Sequence, residues 1–421
     1  MTGGDGVVIT GIGLALPPGV GAADVGARAL RGQSGIGRLR RLGTRGHACA
    51  AGGEVPAFDL AASLRLPKNA KFMSRSVECA VIAAGEAVAA AGSLGDADPD
   101  RIGIYTGSGQ TGLEPSEFFA ALELAEAGDE QLTYKKLGGR AARLVDRYWS
   151  LRTLANAGLG LLAAELSARG PCNNYVQGDT ASAQALAAGF FDLLENRCDV
   201  ALAGGYDCLL TPSTYLAYER AGLLSPSEPE RAHRPFDRTR DGLVLAEGAA
   251  FVVLERRARA EARGAPILAE VLGVGCAQSI DDRPSPMMAA DAARLAIRDA
   301  AGDLHPDMVI AHGIGTREDD ARETIMLADL GFDRTPITAM KGFTGYLGAA
   351  TAVAELCIGI LGARRRAVPP VARLEAADEG CPLDLVSGAP RPLAADTPSL
   401  LALSWSWSGQ CSAVAARAIA A

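Results

Sequence analysis

The feature that most constrains this chain is a repeated unit in which a short apolar run breaks into a glycine turn. Gly6-Val7-Val8-Ile9-Thr10-Gly11-Ile12-Gly13, Arg101-Ile102-Gly103-Ile104-Tyr105-Thr106-Gly107-Ser108-Gly109 and Asp199-Val200-Ala201-Leu202-Ala203-Gly204-Gly205-Tyr206 each read as a buried strand entering such a turn. Alanine-rich helical stretches, Glu78 to Ala91 and Thr180 to Glu195, lie between them. Alternation of this kind calls for a covered, largely parallel sheet, because helices on both faces remove the need for a polar strand face. An Arg- and Ala-rich helix from Arg256 to Arg263 is followed by a second series: Ile267 to Val274, Met308 to Ala311, a helix from Gly348 to Leu361, and Leu400 to Trp405. Single cores stop growing well short of 421 residues, so two fused α/β halves are expected, 1–255 and 256–421. The halves share an order of elements but no short-period repeat, which excludes a solenoid.

Composition narrows the function classes. With 48% hydrophobic and 21% charged residues the chain has ample material for a packed core, so it is not a disordered protein. A formal net charge of −8 argues against a nucleic-acid partner, which needs a basic surface. Nine scattered cysteines, an odd number with no C-x-x-C pair, argue against disulfides and structural zinc. The start, Met1-Thr2-Gly3-Gly4-Asp5, is not a basic segment leading into an apolar one, and no apolar run is long enough to span a bilayer. A cytoplasmic location, no membrane association and no cofactor are the expectations.

The segment Gly170-Pro171-Cys172-Asn173-Asn174-Tyr175-Val176-Gln177-Gly178-Asp179-Thr180-Ala181-Ser182 carries the first motif. It resembles the nucleophile elbow of the β-ketoacyl synthases, where a strand after Gly-Pro ends in Thr-Ala-Cys and the cysteine opens a buried helix. Asp179 stands in the cysteine's place, and Cys172, seven positions upstream, cannot substitute for it. A helix N-terminus suits a carboxylate as it suits a thiolate, through unpaired N–H groups and a partial positive charge. Three roles are open to Asp179: a helix N-cap, a nucleophile forming an acyl anhydride, or an electrostatic or acid–base group.

Further segments carry the same resemblance over nearly the whole chain. His312-Gly313-Ile314-Gly315-Thr316 with Asp320 and Glu323 is similar to the family's His-Gly-Thr motif, departing at Ile314. Lys341-Gly342-Phe343-Thr344-Gly345-Tyr346 is similar to its Lys-x-x-x-Gly-His motif, with tyrosine in place of the second histidine. Arg234-Pro235-Phe236-Asp237-Arg238-Thr239-Arg240-Asp241-Gly242 through Glu247-Gly248-Ala249 is a long, specific match. The resemblance implies a thiolase-like α/β fold of two pseudo-symmetric βαβαβαββ-type halves in αβαβα layers. It implies family catalytic positions at Asp179, His312, Lys341 and Tyr346, structural carboxylates at Glu247, Asp320 and Glu323, and a buried ion pair between Lys341 and Glu247. In the family two imidazoles hydrogen-bond the thioester carbonyl as an oxyanion stabiliser, and tyrosine offers one donor of different geometry.

The family's mobile Gly-Phe-Gly-Gly turn corresponds to Ser406-Trp407-Ser408-Gly409. Serine narrows the φ range that glycine allows and indole is bulkier than a benzyl ring, so this gate should open less readily. Thiol, imidazole and gate are thus altered together, which points to a site released from condensation. By resemblance the chain is most like a chain length factor, the cysteine-free partner of an active ketosynthase in type II polyketide systems, and Glu114, Phe118 and Phe119 would cap the partner's acyl tunnel. A malonyl-carrier decarboxylase, or an acyltransferase forming C–O or C–N bonds with Asp179 as base, is the alternative; a carboxylate near its ordinary pKa would be a weak base for that chemistry. The cations Arg65, Lys68, Lys71 and Arg75 form either a docking face for an acidic acyl carrier protein or a solvated surface.

Overall fold

The computed structural model describes residues 6–43, 46–92, 94, 97–109, 118–126, 138–139, 141–279 and 290–420. Among the described residues ten strands lie along the main sheet: β1 Val7–Leu16, β2 Ile102–Ser108, β3 Cys172–Tyr175, β4 Val200–Cys208, β5 Glu247–Arg256, β6 Ala269–Gln278, β7 Met308–Ala311, β8 Ile337–Ala339, β9 Ser399–Trp405 and β10 Gln410–Ala418. A two-residue strand, Gly19–Val20, is added along β1. The longer helices are α1 Ala22–Leu30, α2 Arg75–Ala90, α3 Phe119–Glu126, α4 Ala157–Leu166, α5 Ala181–Leu194, α6 Pro212–Arg220, α7 Ala290–Ala301, α8 Arg317–Asp329 and α9 Thr351–Ala363. Among the described residues no helix is long and apolar enough to cross a membrane.

The spatial order is β8-β7-β9-β10-β6-β1-β5-β4-β2-β3. Numbered within its own half, each set of five strands runs 3-2-4-5-1, and the halves meet where β1 pairs with β6, antiparallel, through Val7 to Val271 and Ile9 to Ala269. This repetition is the pseudo-symmetric, layered α/β architecture that the resemblance implied. The sheet is mixed, which corrects the expectation of a largely parallel one. Only the pairs that β2 makes with β3 and β4, and β7 makes with β8 and β9, are parallel; the middle, β4-β5-β1-β6-β10-β9, is antiparallel. Strands covered by helices on both faces are apolar whichever way they run, so the runs reported burial and not direction.

Layering follows from which helices are apolar all round. In α9 every residue but Leu361 is buried, and one of them is Glu355. With α5 it forms the middle layer between the two sheet halves, while α2 covers β1 and β5 and α7 covers β6 and β10. Glycine permits the close approach that centres the site. A Cβ on Gly107 would lie 2.5 Å from the Ala181 carbonyl carbon and the Ser182 nitrogen, and one on Gly205 would lie 2.5 Å from the Ala349 oxygen. The start of α5 and the turn before α9 therefore sit directly on the strand ends of the first half.

Candidate functional site

Asp179 lies in a single 3-10 turn, Gly178–Thr180, immediately ahead of α5, and is completely buried. Its carboxylate does not cap the helix. One oxygen accepts from the Tyr346 hydroxyl at 2.9 Å and the other from the Thr351 hydroxyl at 3.3 Å, while Thr180 occupies the N-cap position without a side-chain cap bond. The extra turn places the carboxylate one residue too early to fold back on the first N–H groups, which corrects the N-cap expectation. Burial pushes the carboxyl up to about 7, against the Lys341 charge and the Tyr346 hydrogen bond, which pull it down. The basicity read from an ordinary carboxylate is corrected by the same observation. Burial and the neighbouring Asp179 charge push the Tyr346 phenol well above its usual range, so it stays a donor.

His312 follows β7 and is held by the carboxylates downstream. Glu323 accepts from the His312 N–H at 2.7 Å and from the Gly313 N–H at 2.8 Å; Asp320 accepts from Gly315 N–H at 3.0 Å and from Phe236 N–H at 2.7 Å. Thr316 caps α8 by accepting from the Asp319 N–H. The His312 Nδ1 faces the Lys341 ammonium at 3.1 Å and the Trp405 N–H at 3.4 Å, both donors, which assigns the ring proton to Nε2. Burial and Lys341 hold this imidazole well below its usual pKa, so it is neutral. His233, also buried, is satisfied at both nitrogens, by the Ile314 carbonyl at 3.0 Å and the Val244 N–H at 3.2 Å, and braces the same loop.

Lys341 does not pair with Glu247. Its Nζ lies 3.0 Å from Glu355 Oε1 and donates to the His312 carbonyl, while Glu247, at the start of β5, is held by Arg75 at 3.0 Å and by Arg41 and accepts from Val55 N–H at 3.0 Å. The two carboxylates belong to different layers, and only the α9 glutamate reaches the lysine. Sequence reasoning missed Glu355; the signal was a lone carboxylate in an otherwise apolar helix, which has to find a buried cation. Burial pushes Glu355 up to about 7, opposed by Lys341.

The turn between β9 and β10 carries the gate positions. Ser406 and Ser408 hydroxyls are 2.8 Å apart and lie 3.1 and 3.2 Å from the Gln410 side-chain oxygen. The Trp407 ring sits 5.5 Å from Tyr346 and 5.4 Å from Tyr218 of α6, a residue the motifs did not single out. Of the tunnel candidates, Phe118 stacks edge-on against Trp149 at 4.7 Å, Phe119 is more than half exposed at the start of α3, and Glu114 lies outside the described residues. The basic cluster is narrower than its sequence reading. Arg75 is committed to Glu247 and Glu78, and Arg65 to the carbonyls of Ala164 and Glu165, whereas Lys68 is exposed and Lys71 lies over Phe72 and Tyr148 beside Arg147. Among the described residues no group of His, Cys, Asp and Glu could hold a metal ion.

Comparison with known proteins agrees with this geometry. Residues 5–260 match the family described as beta-ketoacyl synthase, N-terminal domain, and residues 268–375 the beta-ketoacyl synthase, C-terminal domain. The chain is 31% identical over 401 residues to a 3-oxoacyl-[acyl-carrier-protein] synthase 2 of Synechocystis sp., covering 93% of each chain. It is 32% identical over 408 residues to the tetracenomycin polyketide synthase ketoacyl synthase beta subunit of Streptomyces glaucescens, covering 94% of this chain and 95% of that one. Among solved structures the ishigamide ketosynthase/chain length factor superposes with a TM-score of 0.86 at 26% identity, covering 99% of this chain and 100% of that one. A type II acyl-carrier protein in complex with its ketosynthase, AntDE:AntF, superposes with a TM-score of 0.80 at 26% identity and the same coverage. Matched by the family along most of its length, and folded as its solved members are, the chain belongs to the β-ketoacyl synthase family.

Proposed function

We propose that this chain is a non-condensing ketosynthase-like subunit, a chain length factor, that pairs with an active β-ketoacyl synthase and shapes its acyl tunnel in type II polyketide or polyene biosynthesis. The observation that carries this reading is the hydrogen bond between Asp179 and Tyr346, at 2.9 Å and wholly buried. The two substituted positions satisfy each other, so neither is left as the nucleophile or the oxyanion donor that condensation needs. Retained His312 and Lys341 then hold the core of the fold together. A ketoacyl synthase beta subunit and a ketosynthase/chain length factor among the similar proteins support the same assignment. So does the surface. Among the described residues the edge strand β3 has no strand on its outer side, Val176 after it is exposed, and Phe191 of α5, the helix packed on β3, is half exposed. Lys68, Lys71 and Arg147 give the chain, acidic as a whole, a cationic face for an acyl carrier protein.

Phe119 is the tunnel candidate free to reach a neighbour, whereas Phe118 is held against Trp149. Phe119→Ala is therefore expected to lengthen the partner ketosynthase's products without abolishing turnover, read by mass spectrometry of the released chains. Unchanged product length would remove Phe119 from the tunnel. One observation favours the second reading, an acyltransferase forming C–O or C–N bonds: a carboxyl pushed up to about 7 is a competent base near neutrality. Turnover of an acyl-carrier substrate by this chain alone, lost in Asp179→Asn, would establish it.

A further inference from the structure

We propose that this chain's gate turn is a latch, held shut by three mutually packed aromatic rings and a hydrogen-bonded brace, so that the turn stays closed against the buried Tyr346. This deepens the chain-length-factor reading and rests on it for its purpose, though the geometry stands by itself. Trp407 packs on Tyr218 at 5.4 Å and on Tyr346 at 5.5 Å, and those two rings are 5.9 Å apart, so each touches both others. Two of the three rings are also anchored elsewhere in the fold. Tyr346 is tied to Asp179, whose backbone carbonyl accepts from the Ser404 hydroxyl at 3.2 Å, joining the buried carboxylate to the strand that leads into the turn.

Tyr218 is anchored from the other side. Its neighbour Glu219 accepts from the Ala48 N–H at 2.7 Å and lies 2.6 Å from His47 Nδ1, and Tyr215, one turn earlier, donates to the Cys49 carbonyl. The turn itself is cross-braced: Ser406 N–H donates to the Gln410 carbonyl at 2.9 Å and Gly409 N–H to the Ser406 carbonyl at 2.9 Å. The two serine hydroxyls lie within hydrogen-bond distance of each other and of the Gln410 amide oxygen, their two O–H hydrogens serving two of these three contacts, and the Gln278 side chain of β6 donates to the Ser408 carbonyl at 2.8 Å. The serines thus do more than restrict φ: they supply the hydroxyls of the brace. Opening requires the ring cluster and the brace to break together, because Trp407 lies between the two serines that hold its backbone.

Peptide-resolved hydrogen–deuterium exchange over 404–411 tests this in the full chain, alone and with a cysteine-bearing ketosynthase. In the unaltered chain the turn amides should exchange on the order of 100-fold more slowly than an unstructured peptide. Trp407→Ala, and separately the double variant Ser406→Gly/Ser408→Gly, should each speed that exchange about tenfold while peptides from β1 and β5 keep their protection. Exchange at the unstructured rate in the unaltered chain, or no change in either variant, would overturn the latch. A slow turn in a chain that pairs with no ketosynthase would keep the latch and remove the function proposed above; a fast turn in a chain that does pair would do the reverse.

Discussion

At Asp179 a carboxylate sits where bulk water does not reach, held by two hydroxyls and within the field of the Lys341 charge. The folded protein binds its proton more tightly than the unfolded chain does, because burial pushes its pKa up to about 7. Its contribution to stability is therefore complete below about pH 4 and is lost as the pH rises through 7. Asp179→Asn removes this titration while keeping the shape. The stability of that variant relative to the native chain should rise between about pH 4 and pH 7 and level off above that in urea unfolding; a difference that does not vary with pH would contradict the burial account. The Lys341–Glu355 pair makes the second residue-scale prediction. Both partners are buried, and removing one leaves an uncompensated charge, so Glu355→Ala should cost about 3–5 kcal/mol. A loss below about 1 kcal/mol, the value of an exposed pair, would show that Lys341 has another counter-ion.

The elements show where the sequence could be read and where it could not. Glycine turns after apolar runs located β1, β2 and β4, and alanine-rich stretches located α2 and α5 to within a few residues, because these signals are local. His312, Asp320 and Glu323 were legible for the same reason: they share one strand-to-helix connection, and the spacing that places both carboxylates on the face of α8 toward the loop is written in that connection. Strand direction was not legible, since β4 and β5 are separated by a long excursion containing α6, and no hairpin turn announces that they run antiparallel. The partner of Lys341 escaped because two glutamates near motifs, Glu247 and Glu355, were both available to it, and only packing decides between a residue at a strand start and one on a central helix. Tyr218 was missed because two tyrosines three positions apart on a short polar helix do not say which of them faces a site; Tyr218 matters only when α6 is docked by Glu219 and Tyr215 against residues 47–49. The aspartate at the cysteine position was read directly, but its partner Tyr346 lies 167 residues away and the bond between them required the two halves to be folded together.

On the scale of the whole molecule the two halves repeat one strand order, and each contributes one of the central helices whose starts meet at the Asp179–Tyr346 bond. In the chain-length-factor reading proposed above, the edge at β3, which has no further strand beside it among the described residues, is where a neighbour would pair. Pairing through such a surface should bury well over ~2,000 Å², the range of obligate pairs. The most direct measurement is co-expression of this chain with a ketosynthase that keeps its cysteine, followed by native mass spectrometry and a condensation assay on malonyl-carrier protein for each chain alone and for the mixture. A one-to-one complex, condensation by that complex, and none by this chain alone are the expected results. A stable homodimer that ignores the ketosynthase and turns over an acyl-carrier substrate unaided would contradict the chain-length-factor reading.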